Sequence, residues 1–241
     1  MGRIYEVRKE AMAKTQAKKT KVYSRYGKEI YMTAKKGGTN LESNLALKHL
    51  IERAKKEDVP ADIIQRNIKK AEGSDEIAYD FQRYEGFGPG GSAILVDTLT
   101  DNVNRTVSEV RHAFTKHGSK LGVKGSVEHM YDHLSKLFVK GADEERLLEI
   151  LLENDLEVKD VTVDNGGFLI VGSGFDLDTI EAVLRDNRIE IVWSESGWYP
   201  QTTVPLEGEA YETFEKMIDM LNEIEDVQDV YHNVEPKDDD T

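Results

Sequence analysis

The sequence predicts an α+β protein: an N-terminal helical bundle followed by two ferredoxin-like α/β units, the last inserted into the middle one. Three observations carry this reading. Residues 1–72 read as helical throughout, with apolar side chains at helical spacing. Residues 134–196 run strand, helix, strand, strand, helix, strand, the order of a ferredoxin-like unit. On either side of that block lie two further strand–helix–strand stretches, which together make a second such unit. The expected domains are therefore 1–74 (basic and helical), 75–133 with 197–235 (central), 134–196 (inserted) and an acidic tail, 236–241.

Lys14 to Lys36 contains no proline and one glycine, Gly27. On a helix, Val22, Tyr23, Tyr26, Ile30 and Ala34 fall on one side. Lys14, Lys18, Lys21, Arg25, Lys28 and Lys35 gather on another, with Lys36 beside them and Glu29 the sole acid in the stretch. Such a stripe is a solvated helix face, a phosphate-binding face or a membrane-surface face; the small, tyrosine-rich apolar side weakens the last. Gly37-Gly38 ends the helix, and Thr39 or Asn40 can cap the next one. Leu47, Leu50, Ile51 and Ala54 form its seam; Pro60 opens a third helix lined by Ile64, Ile68 and Ala71. Glu72 to Asp80 is polar and reads as a linker.

Next comes a glycine-rich loop (Gly86, Phe87, Gly88, Pro89, Gly90, Gly91) running into an apolar strand, Ala93 to Leu99, expected to be buried on both faces. Gly86-x-Gly88-x-x-Gly91 has the letters of a dinucleotide-binding turn. In that motif, however, a strand precedes the loop and a helix opens on it, whereas here a strand follows. The loop reads either as a tight turn or as a rigid tip, Gly86 to Gly90, that meets a partner. Thr100-Asp101-Asn102 supplies capping side chains for a helix with Val103, Val107, Val110 and Phe114 on its inner stripe and Gly118 at its end. Its outer face carries Arg105, Arg111 and Lys116, which either extend the basic surface or pair with nearby carboxylates. A second strand falls near Gly125 to Tyr131.

The inserted block has strands at Leu137 to Lys140, Val158 to Val163, Phe168 to Gly172 and Glu190 to Ser194, with helices at Asp143 to Asn154 and Asp176 to Asn187. Asp164-Asn165-Gly166-Gly167 is a hairpin signal between the middle strands. Trp198 to Leu206 is strand-like, Tyr211, Phe214, Ile218 and Leu221 line a helix, and Asp226 to Val234 is a short strand.

YEGFGPGG from Tyr84, DNVNRTVSEVRHAF from Asp101, GSV at Gly125 to Val127, and MIDML with DVQDVYHN near the end resemble the YebC/PmpR family over nearly the whole chain. Ile4 and Tyr5 stand where that family often has tryptophan. The resemblance implies a transcriptional regulator that binds DNA. A mitochondrial relative, a translational activator of cytochrome oxidase, implies instead a factor associated with RNA or the ribosome.

Cysteine is absent, which excludes disulfides and thiolate chemistry and suits a reducing cytoplasm. No run is long and apolar enough for a membrane span. His129 and His133 have metal-ligand spacing but fall on a strand end and lack a third ligand, so no metal or cofactor is expected. No nucleophile–base pattern stands out, and neither an enzymatic activity nor a small-molecule substrate is expected. What remains is binding. The chain carries a net charge of −14, yet residues 1–72 hold 18 Lys and Arg against 9 Asp and Glu. A cationic head on an anionic body predicts that duplex DNA or structured RNA is held at one end, while the acidic body turns away or meets a protein. A protein-interaction adaptor is the reading from another class.

Overall fold

The computed structural model describes residues 2–73 and 78–236, with the side chains of 2–18 outside the described set. It is α+β, with helices at the N-terminus followed by two four-stranded sheets. The chain divides into two compact units: Met1–Ser126 with Leu206–Val230, and Val127–Pro205 with Tyr231–Thr241.

In the first unit, helix α1 (Gly2–Gly37) is 36 residues long, about 54 Å at the α-helical rise. Tyr26, Ile30, Tyr31 and Ala34 bury their side chains against α2 (Leu45–Lys56) and α3 (Ala61–Glu72), through Leu47, Leu50, Ile51, Ala54, Ile64 and Ala71. Gly27 lies where α1 meets α3: a Cβ there would come within 2.9 Å of the Asn67 amide. Asn44, rather than Thr39 or Asn40, caps α2. Its Oδ1 accepts from Leu47 N at 3.0 Å, and its Nδ2 donates to the Thr33 and Gly38 carbonyls at 3.1 and 2.8 Å. Asn40 instead shapes the preceding turn by accepting from Glu42 N. One side chain thus joins two helix ends, and Asn44→Ala is expected to cost about 1–2 kcal/mol in urea denaturation.

The sheet of this unit has the order β3-β1-β2-β8, from β1 (Asp80–Phe87), β2 (Ala93–Thr100), β3 (Lys120–Leu121) and β8 (Val227–His232). All eight residues of β2 are buried, in keeping with its apolar run. Strand β1 fills the stretch between the expected linker and the glycine loop, which the sequence reading assigns to no element, and it pairs with β2 along its full length. Lys120–Leu121 takes the strand position expected near Gly125. Helix α4 (Val103–Lys116) is capped by Asn102 and buries Thr106, Val110, Ala113 and Phe114. Helix α7 (Gly208–Glu223) buries Phe214, Met217 and Leu221.

The second unit contains β4 (Tyr131–Lys140), α5 (Glu144–Glu153), β5 (Val158–Asp164), β6 (Gly167–Ser173), α6 (Leu177–Asp186) and β7 (Glu190–Pro200), with sheet order β5-β6-β4-β7. All three pairings are antiparallel. Asn165 and Gly166, both at positive φ, turn the β5–β6 hairpin. Trp198 to Pro200 extends β7 rather than starting a new strand: β4 is ten residues long and pairs back to Tyr131. Residues 237–241 of the expected tail and 74–77 of the expected linker lie outside the described residues.

Candidate nucleic-acid interface

Lys21, Arg25 and Lys28 are four and three residues apart, so α1 presents them on one face. That face meets the segment from Asn222 to Asp229. Lys21 Nζ donates to the Asn222 carbonyl at the C-terminal turn of α7. Arg25 bonds Asp229 at 3.1 Å, has Glu29 at 3.9 Å, and lies 5.2 Å from the Tyr26 ring centre. Lys28 is 8% exposed; its ammonium donates to Asp226 at 2.8 Å and to the Leu99 carbonyl at 3.1 Å.

Asp226 is the centre of this junction. Only 2% exposed, it also accepts from Arg105 at 2.6 Å, Thr106 Oγ1 at 2.8 Å and Thr100 Oγ1 at 3.0 Å. Burial pushes its carboxyl up, but the hydrogen bonds from Lys28, Arg105 and Thr106 prevail and hold it down at about 2. Burial lowers Lys21 to about 8 against the pull of Asp229. Burial likewise raises Asp229 and Glu29, with Arg25 opposing.

This corrects the expectation of an open basic stripe. Lys21, Arg25 and Lys28 are turned inward onto the acidic C-terminal segment, because a buried carboxylate is tolerated only with cations and donors around it. Lys14 and Lys18 have side chains outside the described residues. Lys35 and Lys36 are exposed. Lys35 Nζ reaches the Gly73 carbonyl at 3.3 Å, which brings the last turn of α1 beside the last turn of α3, where Lys69 and Lys70 are exposed. Four lysines therefore share one end of the bundle, and none makes an ion pair with another described residue. Sequence reading missed Lys69 and Lys70; their place in the last turn of a helix was the available signal.

The outer face of α4 divides. Arg105 is 45% exposed on its side chain but is held by Asp101 at 2.9 Å and by Asp226. Hydrogen bonds to Asp226 and Asp101 raise its guanidinium further above its ordinary value. Arg111 and Lys116 are exposed.

The glycine loop is rigid and packed. Gly86 is buried, and a Cβ there would strike the Phe114 ring and come within 2.8 Å of the Lys120 carbonyl. Pro89 to Gly91 form a 3₁₀ turn with Gly90 at φ 64°, against Leu206. Gly88 N donates to the Ser92 carbonyl at 2.8 Å. Phe87, 42% exposed, is the prominent side chain.

Among the described residues, no cluster of three or more His, Cys, Asp or Glu is placed to hold a metal ion. His133 is on β4, stacked on Trp198 at 4.9 Å with Phe175 at 4.5 Å. No described helix is long and apolar enough to cross a membrane.

Comparison with known proteins matches two family models, "TACO1/YebC protein N-terminal domain" over residues 3–74 and "TACO1/YebC second and third domain" over 79–234. A relative from Acholeplasma laidlawii is 51% identical over 235 residues, 97% of this chain and 98% of its own. One from Alteromonas mediterranea is 46% identical over 235 residues, 97% of this chain and 98% of its own. Both are named probable transcriptional regulatory protein. The crystal structure of a conserved hypothetical protein from Aquifex aeolicus superposes with a TM-score of 0.71 at 34% identity, covering 91% of this chain and 92% of that one.

Proposed function

We propose, for a chain that belongs to the TACO1/YebC family, that it is a non-enzymatic cytoplasmic regulator that works by binding nucleic acid. Its relatives' names point to transcription, and hence to duplex DNA as the first partner to test. The observation that carries the reading is the cluster of Lys35, Lys36, Lys69 and Lys70, unpaired with any described acid, on a chain of net charge −14. Cations that no described carboxylate pairs with are available to phosphate, and the negative body repels a polyanion elsewhere. Lysine ammonium groups act as point charges toward backbone phosphate, so the contact is read as one to backbone and shape without strong sequence choice. That property favours structured RNA as the second reading, with the translational role of a ribosome-associated factor.

The test is the K35E/K36E/K69E/K70E variant, titrated with a DNA duplex and an RNA hairpin across salt. Wild type should show a log–log salt slope of about −4, from about four neutralised phosphates. The variant should bind at least about 100-fold more weakly and lose most of that slope. Unchanged affinity would remove this cluster from the account. Crosslinking in cells separates the two readings: duplex DNA supports the first, ribosomal or messenger RNA the second.

A further inference from the structure

At the Phe87 end of the first unit's sheet, a second loop is built beside the glycine loop. Phe87 pairs with Lys120 of β3, so the two side chains project from the same side of the sheet. After β3 the chain turns through Gly122 to Gly125 and is fixed by one residue. Glu85, 2% exposed, accepts from Gly122 N through its backbone oxygen at 2.7 Å and from Gly125 N through its carboxylate at 2.5 Å. Ser126 N closes the turn on the Val123 carbonyl at 3.1 Å. The buried carboxylate is thereby used on backbone, and the loop tip is left with Val123, 78% exposed, and Lys124, also exposed.

Phe87 has no aromatic or cationic neighbour against its ring among the described residues, and Lys120 and Lys124 make no ion pair with another described residue. An uncapped ring on a rigid strand end, flanked by unclaimed ammonium groups on an otherwise acidic body, is the chemistry that takes an unstacked base together with its phosphates.

We propose that Phe87, Lys120 and Lys124 form a second nucleic-acid contact that selects unpaired nucleotides. It rests on the nucleic-acid reading above and adds to it: the lysine end of the helical bundle grips backbone, and this tip distinguishes a loop from a duplex. Rigidity is part of the selectivity, since a stacking face held by Gly86, Glu85 and Gly125 loses little freedom on binding.

The experiment uses the full chain and two RNAs of equal phosphate number, one a fully paired duplex and one a hairpin with a six-nucleotide loop, read by fluorescence anisotropy. Wild type should prefer the looped RNA by about tenfold, the scale of one stacked base. F87L, which keeps an apolar side chain and whose melting temperature reports the fold, should lose that preference. K120E/K124E should lose affinity for the looped RNA and lower its salt slope by about 2. The bundle variant K35E/K36E/K69E/K70E should weaken both RNAs and keep the preference. Equal wild-type binding of the two RNAs overturns this inference alone, as does full preference retained in F87L. Polyglutamate competing as well as RNA of equal charge assigns the tip to an acidic peptide and overturns it too. Failure to bind any nucleic acid overturns the functional reading itself.

Discussion

Reversing Lys21, Arg25 and Lys28 to glutamate is expected to detach α1 from the sheet it lies on, not merely to change a surface. The variant would set three new carboxylates against Asp226, Asp229 and Glu29, and would strip Asp226 of its Lys28 partner at 2.8 Å. Breaking one buried pair costs about 3–5 kcal/mol, so the triple change should exceed about 5 kcal/mol. Limited proteolysis should cut α1 at concentrations of protease that leave the wild type intact, and thermal unfolding should lose cooperativity. Native-like melting and protection would show that the junction contributes little. Any loss of nucleic-acid binding in this variant then reports on folding, which is why the exposed lysines at the far end of the bundle are the proper targets for a binding test.

The second large effect is at the other side of the same junction. Asp226→Ala removes the acceptor shared by Lys28, Arg105, Thr100 and Thr106. It takes the only carboxylate from a buried ammonium, which keeps the Leu99 carbonyl, and from two buried hydroxyls, which keep each other and the Asn102 backbone, and should destabilise by about 3–5 kcal/mol in chemical denaturation. Asp226→Asn keeps the shape and part of the hydrogen bonding and should cost less. The pH dependence follows in sign. The folded carboxyl, at about 2, lies below its unfolded value. Its stabilisation is therefore complete above about pH 4 and disappears as pH falls toward 2, amounting to about 2 kcal/mol across that window. Wild type should lose this increment on acidification while Asp226→Ala does not; parallel acid curves would assign the acid sensitivity elsewhere.

Much of the architecture was legible because it is written locally. The seam Leu47, Leu50, Ile51, Ala54, the Asn165-Gly166 turn and the Asn102 cap each announce themselves within a few residues. Strand β1 was not, since DFQRYEGF alternates no clean apolar face: its two buried positions, Glu85 and Gly86, lie on opposite faces, one serving a loop contact and the other the approach of Phe114. The stripe of α1 was seen, but its destination was not. Lys28 and Asp226 are 198 residues apart, and complementarity over that separation has no local signature. Thr106 shows the same limit within α4. By apolar pattern alone the inner stripe runs through Val103 and Val107, yet Thr106 is fully buried, its hydroxyl donating to Asp226.

The separation of Lys28 from Asp226 also sets an order of events at the ribosome. At about 5–20 residues per second, some tens of seconds pass between the emergence of the helix and of the strand segment that receives it. Until Asp226 has emerged, the nascent helix therefore carries its ammonium and guanidinium groups undocked, and a chain cut short before Asp226 would keep them so.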